Sequence, residues 1–381
     1  MTFAFISISC KDDSGSQVAV YHNYTELQAF LADIESSYPD ITSIKSIGTS
    51  VNGRDIPAIV ISDNPDVNEM EPRIRLTGYI HGNEKIGGEL LLRFIEYLTS
   101  NYGSHSDVTD IVNDRYIVII PMLNPDGAES GSRYNANRVD LNRNFSFQWE
   151  SLPDSGGFSF SEPESRAIRD YTIETIFHLS ATYHSGAVIV NMPFDYDSNS
   201  TGGDIPLESN LVEYMGRVYT TSGSFNDNPY LMSIDHVIDG TINGGDWYII
   251  TGSLQDWSYM EAGCLDYTVE VATLNPETEE GVEEIFLYNR NSLVGFIKAA
   301  GMGVYGKVTD INGISFSNVS VDITGGDLVT TSDGNGYYHK ILMPGNYTLN
   351  FASDDNLTYS QAITVPGTGG RSLELNVTLS E

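Results

Sequence analysis

The sequence predicts an α/β protein with a mixed, mostly parallel sheet flanked by helices, followed by a small all-β sandwich. Helical and strand patterns alternate between about residues 20 and 300, and strands separated by helices favour parallel pairing. After Gly301–Gly303 the helical periodicity stops, and short alternating strands divided by Asn, Asp and Gly turns begin. We therefore expect two domains, residues 20–302 and residues 303–381.

Hydrophobic periodicity justifies the elements of the α/β part in order. Leu27, Leu31 and Ile34 have the spacing of an amphipathic helix that ends before Pro39. Short β-branched runs predict buried strands, and these are Ile56–Ile61, Ile74–Ile80 and Tyr116–Met122. Further helices are predicted through residues 90–98, from Ser161 with Glu164 as its capping-box partner, and over Glu277–Ala299.

Composition and charge exclude several classes of protein. The 381 residues carry 52 acidic and 19 basic side chains, which gives a formal net charge of −33. Binding to nucleic acid needs clustered Lys and Arg at the phosphates, so nucleic acid is not expected as a partner. No run reaches the ~18 apolar residues that span a bilayer, and two cysteines are too few for a disulfide scaffold. We expect the protein to act as a monomer.

Residues 1–19 are interpreted as a leader and tether rather than as part of the fold. The short apolar opening ends at Cys10 and is followed by acidic residues, which resembles the end of a bacterial lipoprotein signal whose cysteine becomes lipidated. The pattern lacks a basic residue before the apolar stretch, and Ser7 stands where Leu is usual. The alternative is that Cys10 is an ordinary residue of a frayed terminus. We expect an extracytoplasmic protein, secreted or anchored at the bacterial cell surface or in the periplasm.

A His-x-x-Glu pair at the end of a predicted strand is the first candidate for chemistry. His81 and Glu84 follow the strand Ile74–Ile80, and open α/β sheets form their sites at such strand ends. Zinc accepts imidazole nitrogen and carboxylate oxygen, and a catalytic zinc takes three protein ligands. We expect the third ligand to be His184, which ends an apolar run and precedes Ser-Gly. On pattern alone, His178 remains an alternative.

Three arginines, Arg133, Arg138 and Arg143, lie within eleven residues of a chain that is poor in basic side chains. Arg can hold a carboxylate through two parallel hydrogen bonds, so this segment is a candidate for binding an acidic group. The alternative, a local cluster of surface ion pairs, is equally compatible with the pattern. The preceding Asn-Pro-Asp-Gly at 124–127 consists of residues that favour a turn.

Glu270 interrupts the apolar β-like run Asp266–Ala272. An unpaired carboxylate in such a strand is costly to bury, which favours a general base whose pKa is tuned by its surroundings. Because Glu270 alternates with Val269 and Val271, the other interpretation is a side chain that faces solvent. Cys264, six residues earlier, is predicted to be a buried, small apolar residue rather than a nucleophile.

Together these motifs resemble the zinc metallocarboxypeptidase family. The pattern occurs in the order and approximate spacing of that family, as His81-x-x-Glu84, the Asn-Pro-Asp-Gly turn, Asp140–Phe145, His184, Tyr259 and Glu270. The predicted sandwich resembles the transthyretin-like domain of the N/E, or regulatory, branch of the family. The resemblance covers about residues 20–381.

The resemblance implies a zinc-dependent reaction at one centre. One zinc ion per chain would be bound by His81, Glu84 and His184. Glu270 would act as the general base on the attacking water, and Arg133 would stabilise the developing oxyanion.

The resemblance also implies that the substrate is held by its C-terminal end. Asn142 and Arg143 would bind the terminal carboxylate, and Tyr259 would close over the bound residue. These roles imply hydrolysis of the C-terminal peptide bond of peptides or proteins. Arg138 matches no role in the family and is interpreted as a surface residue.

Two further positions imply a preference for basic C-terminal residues. Asp195, eleven positions after the third zinc ligand, matches an acidic residue that pairs with a basic substrate side chain in this branch. Gln255, fifteen residues before Glu270, matches the Gln at the base of the same pocket. Removal of C-terminal Arg or Lys is therefore implied. Met192 and Ser185 depart from the branch, in which an aromatic residue and Gly are usual.

Two alternative functions follow from the same residues. One is a zinc peptidase acting on cell-wall peptides, because their diaminopimelate ends also carry an amine. The other is a non-catalytic peptide-binding protein, a kind of pseudo-enzyme that occurs in this branch. Such proteins typically lose zinc ligands or the base, whereas the expected ligands and Glu270 are all present here.

Overall fold

The computed structural model describes residues 20–198, 203–367 and 372–380. The predicted leader, residues 1–19 with Cys10, lies outside the described residues. The helices are α1 Tyr24–Ser37, α2 Lys85–Asn101, α3 Ser106–Asn113, α4 Pro125–Ser130, α5 Pro163–Thr175, α6 Ser209–Thr221, α7 Gly244–Trp247, α8 Leu254–Met260 and α9 Glu279–Ala299. The strands of the α/β part are β1 Thr42–Thr49, β2 Asp55–Ile61, β3 Arg73–Gly78, β4 Tyr116–Ile120, β5 Leu179–His184, β6 Ala187–Met192, β7 Thr241–Asn243 and β8 Leu265–Ala272.

These eight strands form one mixed sheet in the order β1-β2-β4-β3-β5-β8-β6-β7. The central strands β4, β3, β5 and β8 are parallel, β6 and β7 are parallel, and the remaining pairs are antiparallel. Helices connect the central strands, as crossovers between parallel neighbours require. The predicted mixed, mostly parallel sheet flanked by helices is thereby confirmed.

Both faces of the sheet are buried, and strand β4 shows how. Ile117 and Ile119 belong to the hydrophobic cluster on one face, whereas Val118 and Ile120 belong to the cluster on the other face. Successive side chains of a strand point to opposite sides, so a continuous β-branched run supplies both clusters. This packing fixes the central strands and therefore the edge at which their carboxyl ends meet.

The predicted helices are confirmed, but one predicted cap is wrong. Helix α1 begins with a capping box between Asn23 and Glu26. Helix α5 begins at Pro163 rather than behind Ser161, and no side chain caps it. Glu164 is buried and accepts the backbone N–H of Val51 at 3.0 Å instead. Because that tertiary contact uses the carboxylate, Glu164 is not available for a local capping box.

Residues 304–379, here called the C-terminal sandwich, form two small sheets around their own hydrophobic cluster. The strands are β9 Val304–Thr309, β10 Ser320–Ile323, β11 Thr330–Thr331, β12 Tyr337–Lys340, β13 Gly345–Ala352, β14 Thr358–Val365, β15 Leu373–Glu374 and β16 Val377–Thr378. One sheet has the order β11-β10-β13-β14, and in the other β9 pairs with β12, β15 and β16. The all-β prediction is confirmed. Strands β15 and β16 pair with β9 in parallel, whereas the other strand pairs of the sandwich are antiparallel.

Among the described residues, no helix combines the length and the apolar composition needed to cross a membrane.

Candidate active site

The topology of the sheet brings three distant residues to one edge. His81 lies three residues after β3, and His184 is the last residue of the neighbouring strand β5. Strand β8 pairs with β5 in parallel, and the register places Glu270 beside His184. The carboxyl ends of neighbouring parallel strands form the site-bearing edge of α/β sheets. This register therefore brings His81, His184 and Glu270 to the same edge of the sheet.

His81, Glu84 and His184 form a compact buried cluster. The Nδ1 atom of His81 lies 2.8 Å from Glu84 Oε1, and the Nδ1 atom of His184 lies 2.8 Å from Glu84 Oε2. The two Nδ1 atoms are 3.2 Å apart. One ligand atom from each residue therefore lies within 4.8 Å of the others, a spacing at which a single metal ion can be held.

The donor set of this cluster fits zinc. Two imidazole nitrogens and one carboxylate are the ligands of a catalytic zinc that keeps its fourth position open. Burial would raise the pKa of the Glu84 carboxyl, but the two imidazoles hold it well below its usual range. Glu84 is therefore ionised, as a metal ligand must be.

Asp140 supports the cluster from behind, a role that the sequence analysis did not assign. Its Oδ1 lies 3.1 Å from His81 Nε2, on the side of the ring that faces away from Glu84. Burial would raise the pKa of Asp140, but His81 and then Arg133 hold it well below its usual range. A carboxylate on the second nitrogen fixes the tautomer and orientation of a metal-binding His. The signal was present in the sequence, since Asp140 opens the motif that contains Asn142 and Arg143.

The Asn-Pro-Asp-Gly segment is a helix cap rather than a plain turn. Asn124 caps α4 by accepting the Gly127 N–H at 2.9 Å. The backbone of Gly82 passes so close to this turn that an added Cβ would lie 2.0 Å from the carbonyl carbon of Gly127. The backbone N–H of Gly82 also donates to the Arg133 carbonyl at 3.3 Å. These contacts hold the loop of His81 against the loop of Arg133.

Arg133 lies over the mouth of the cluster. Its Nη1 donates to Glu84 Oε1 at 3.1 Å, and its Nε donates to Asp140 Oδ2 at 3.0 Å. About a third of the side chain remains exposed. The guanidinium is thus held by two carboxylates while one face stays open to the pocket.

Glu270 faces the pocket rather than bulk solvent. It lines the same cavity as the metal cluster, and its Oε2 atom is buried without a hydrogen-bond partner among the described residues. Burial, and then the nearby Glu84 carboxylate, raise the pKa of Glu270 to about 8. A cation in the cluster would favour the ionised form. The geometry therefore favours a base over a solvent-facing side chain.

The cluster opens into a cavity of about 210 Å³. Its lining combines charged, polar and aromatic side chains, and consists of His81, Glu84, Arg133, Asn142, His184, Ser185, Gly186, Asn191, Asp195, Trp247, Tyr248, Ile250, Thr268 and Glu270. The metal cluster and Asp195 therefore line the same cavity.

Asp195 is a buried acidic residue in the lining of this cavity. Its Oδ1 accepts from the Asn191 amide at 2.8 Å and from the Gln255 amide at 3.2 Å. Its Oδ2 is buried and has no hydrogen-bond partner among the described residues. Burial raises the pKa of Asp195. Gln255 itself lies behind the wall, where it orients Asp195 and accepts the Thr268 N–H at 2.6 Å.

Asn142 and Arg143 lie next to an aromatic residue, Tyr248, that the sequence did not single out. Asn142 lines the cavity, and its Oδ1 accepts the Leu254 N–H at 3.0 Å. Nη2 of Arg143 lies 3.5 Å from the hydroxyl of Tyr248. Tyr248 also lines the cavity, and 52% of its surface is exposed to solvent.

The role predicted for Tyr259 is wrong. Tyr259 is fully buried on α8, does not line the cavity, and donates its hydroxyl to Asp327 Oδ1 at 2.6 Å. Burial raises the pKa of Tyr259, so the hydroxyl stays a donor. A residue packed in this way cannot close over a substrate. The aromatic residue placed to do so is Tyr248, eleven positions earlier.

The alternative third ligand, His178, is also excluded by its position. Its Nδ1 accepts the backbone N–H of Arg73 at 3.0 Å, and its ring packs on His339 of the C-terminal sandwich. Cys264 is buried, and burial raises its pKa to about 12, as expected for a structural residue. Arg138 is exposed, as predicted.

Comparison with known proteins agrees with this geometry. Residues 27–290 match the model of the zinc carboxypeptidase family. The chain is 32% identical to human carboxypeptidase D over 376 residues, which cover 94% of this chain and 27% of that protein. It is 31% identical to mouse carboxypeptidase M over 369 residues, which cover 91% of this chain and 81% of that protein. The chain thus spans about a quarter of the length of carboxypeptidase D.

The fold is similar to that of a solved carboxypeptidase structure. The crystal structure of carboxypeptidase A from Helicoverpa armigera superposes with a TM-score of 0.62 at 23% identity, over 74% of this chain and 73% of the other. Carboxypeptidases D and M belong to the N/E branch that the motifs indicated. The chain belongs to the zinc carboxypeptidase family.

Proposed function

We propose that the protein is a zinc-dependent carboxypeptidase that removes C-terminal Arg or Lys from peptides and proteins. One observation carries the proposal: in the cavity that holds the His81–Glu84–His184 cluster, the buried carboxylate oxygen Asp195 Oδ2 has no hydrogen-bond partner among the residues that the structure describes. Leaving a buried charge unpaired is costly. A basic side chain that enters the cavity supplies the missing donor.

The substrate is held by its terminal carboxylate, which limits cleavage to the last residue. Arg143 presents a guanidinium beside the cavity, and the amide of Asn142 lines it. A guanidinium and an amide together suit a carboxylate. Tyr248 takes the covering role that the sequence analysis gave to Tyr259, because its exposed ring lies next to Arg143.

Hydrolysis then uses the groups around the metal cluster. His81, Glu84 and His184 would hold the zinc ion, which would supply Lewis-acid activation of the substrate carbonyl and of the attacking water. Glu270 Oε2 accepts a proton from the attacking water and later delivers it to the leaving amine. Arg133 donates to the oxygen on which negative charge develops, a contribution that is usually large in such sites.

The test is a scan of short blocked peptides that differ only in the C-terminal residue, with zinc-loaded protein and with protein treated with a zinc chelator. We expect release of Arg and Lys well above that of Leu, Phe or Glu, and loss of all release after chelation. Stronger release from diaminopimelate-ended cell-wall peptides would favour the cell-wall alternative. Inactivity of the zinc-loaded protein on every peptide would favour the non-catalytic one.

The remaining expectations complete the proposal. The C-terminal sandwich is a transthyretin-like domain, with the boundary between the domains at residues 302 and 303. The protein is an extracytoplasmic monomer, secreted or anchored at the bacterial cell surface or in the periplasm through a lipid on Cys10. Mass spectrometry of the protein purified from the native cell tests the lipid, because lipidation changes the mass of the N-terminal peptide.

A further inference from the structure

The loop that follows β10 in the C-terminal sandwich contacts the α/β part through one half-buried carboxylate, that of Asp327. Asp327 Oδ1 accepts the Tyr259 hydroxyl at 2.6 Å, and Asp327 Oδ2 accepts the Leu207 N–H at 2.8 Å. Both oxygens of Asp327 are therefore used by the α/β part and not by the sandwich to which the residue belongs.

A second set of contacts fixes the same loop. Leu328, next to Asp327, donates its N–H to Glu208 Oε2 at 2.9 Å. Glu208 is buried and forms an ion pair with Lys340 of β12 at 3.3 Å. The position of Asp327 relative to the α/β part is thus set by two buried contacts that are independent of Tyr259.

Tyr259 connects this loop to the base of the pocket in two ways. It lies on the short helix α8, which also carries Gln255 and Asp256. Its ring packs edge-on against the ring of Phe194, with centroids 5.3 Å apart. Phe194 directly precedes Asp195 in the chain.

The same helix and segment hold Asp195 itself. The backbone N–H of Asp195 donates to both oxygens of Asp256, at 3.0 and 2.9 Å, and the Gln255 amide donates to Asp195 Oδ1 at 3.2 Å. The Asp195 carbonyl accepts the N–H of Ile250, which lines the pocket, at 2.8 Å. A shift of α8 or of Phe194 would therefore move the carboxylate of Asp195.

We propose that Asp327 is a positioning residue for substrate selection: through Tyr259 it holds the helix and the segment that present Asp195 to a basic side chain. The proposal rests on the proposed function, because it concerns the same pocket. It gives the C-terminal sandwich a task in selecting the substrate, although none of its described residues lines the cavity.

The test compares Tyr259→Phe, Asp327→Ala and the double variant as full-length, zinc-loaded proteins. Tyr259→Phe removes only the hydroxyl and keeps the ring on Phe194. We expect KM for Arg-ended peptides to rise about tenfold, as loss of a hydrogen bond to a charged group allows, with kcat changed less than about twofold. Turnover of a matched Leu-ended peptide stays unchanged. The double variant is no worse than the poorer single variant, because both remove one interaction.

Asp310→Ala is the matched control. Asp310 is also a sandwich carboxylate, but its hydrogen bonds stay within its own turn, with Asn312 and Ile314. This variant keeps the wild-type kinetics. Equal losses on Arg-ended and Leu-ended peptides would show a merely structural role and overturn the proposal, as would unchanged KM in Tyr259→Phe and Asp327→Ala.

Hydrogen exchange separates this proposal from the proposed function. The amides of Asp195 and Ile250 are protected by the contacts described above, so faster exchange in segments 193–196 and 248–251 is expected in both single variants but not in Asp310→Ala. If the wild-type protein is active but does not prefer Arg-ended peptides, the proposed substrate preference is wrong. The positioning role of Asp327 would then be tested only by the hydrogen-exchange rates of segments 193–196 and 248–251. Unchanged exchange in both variants would overturn the positioning role.

Discussion

The metal cluster and the base of the pocket are two buried acidic sites in the lining of one cavity, but their charges are balanced differently. In the cluster each oxygen of Glu84 lies 2.8 Å from an imidazole, and Asp140 pairs with His81 and Arg133. At the pocket base, two amides donate to Oδ1 of Asp195, whereas no donor within the described part of the chain reaches Oδ2. Among the ion pairs of the described residues, none involves Asp195 or its neighbour Asp256.

Under the proposed function, this difference separates the groups that act on every substrate from the group that selects a basic C-terminal residue. A buried carboxylate needs compensation. In the metal cluster the chain supplies it, together with the ion that the cluster holds, so the site is complete before a substrate arrives. At the pocket base the compensation is left to the occupant. Changes in the cluster should therefore affect all substrates alike, and changes at the base should affect basic ones only.

Replacing the base should have the largest effect and should not discriminate between substrates. Glu270→Gln keeps the shape of the side chain but removes the proton acceptor, and we expect kcat to fall about 10³- to 10⁴-fold on Arg-ended and Leu-ended peptides alike. The kcat values are measured with purified protein by quantifying the released amino acid at fixed reaction times. Zinc content should stay at one ion per chain, since Glu270 is not among the predicted metal ligands. A loss of activity on Arg-ended peptides alone would contradict the assignment of Glu270 to a step that is common to all substrates.

Removing the charge at the pocket base should be the most selective change. For Asp195→Ala we expect kcat/KM on Arg-ended and Lys-ended peptides to fall about 10²- to 10³-fold, the range for deleting one partner of a buried charge pair. Values for a Leu-ended peptide should stay within about threefold of wild type, since no charge is lost to that substrate. An unchanged preference would remove the role assigned to Asp195.

Replacing Asp140, which contacts the metal-binding residue His81, should reduce activity only by weakening zinc binding. In Asp140→Asn the carboxylate on His81 Nε2 is lost, and zinc affinity should fall about 10- to 100-fold, as measured by competition with a chelator of known affinity. Excess zinc should restore most of the activity. Asp110→Asn, a substitution on α3, serves as the control. If zinc affinity does not change, the support given by Asp140 to His81 is not energetically important.

The smallest effect is expected at the covering residue. Tyr248→Phe removes the hydroxyl near Arg143, and KM should rise about threefold to tenfold with kcat nearly unchanged, because one net hydrogen bond is lost. All substrates should be affected equally, since the terminal carboxylate is common to them. An unchanged KM for every peptide would contradict the covering role of Tyr248 and show that it only lines the cavity.

The parts of the site that could be predicted are those in which a local pattern determines the position. His81 and Glu84 directly follow one predicted strand, so the strand end and their spacing were enough to predict this pair. The choice between His184 and His178 needed the sheet, because both flank the same run and only the register of β5 with β3 and β8 places one at the edge. The capping box at Ser161 failed because a residue distant in sequence, Val51, uses the Glu164 carboxylate.

The sequence by itself determined the reacting groups, since their types, order and spacing are properties of the chain. Tertiary structure decided which groups meet. Tyr248 and Tyr259 both precede Glu270 at plausible distances, but only the course of the chain puts one on the cavity and the other against Asp327, 68 residues away. The partner of Asp140 and the bare oxygen of Asp195 were likewise fixed by packing. Burial and hydrogen bonding depend on segments far apart in sequence, and no local pattern encodes them.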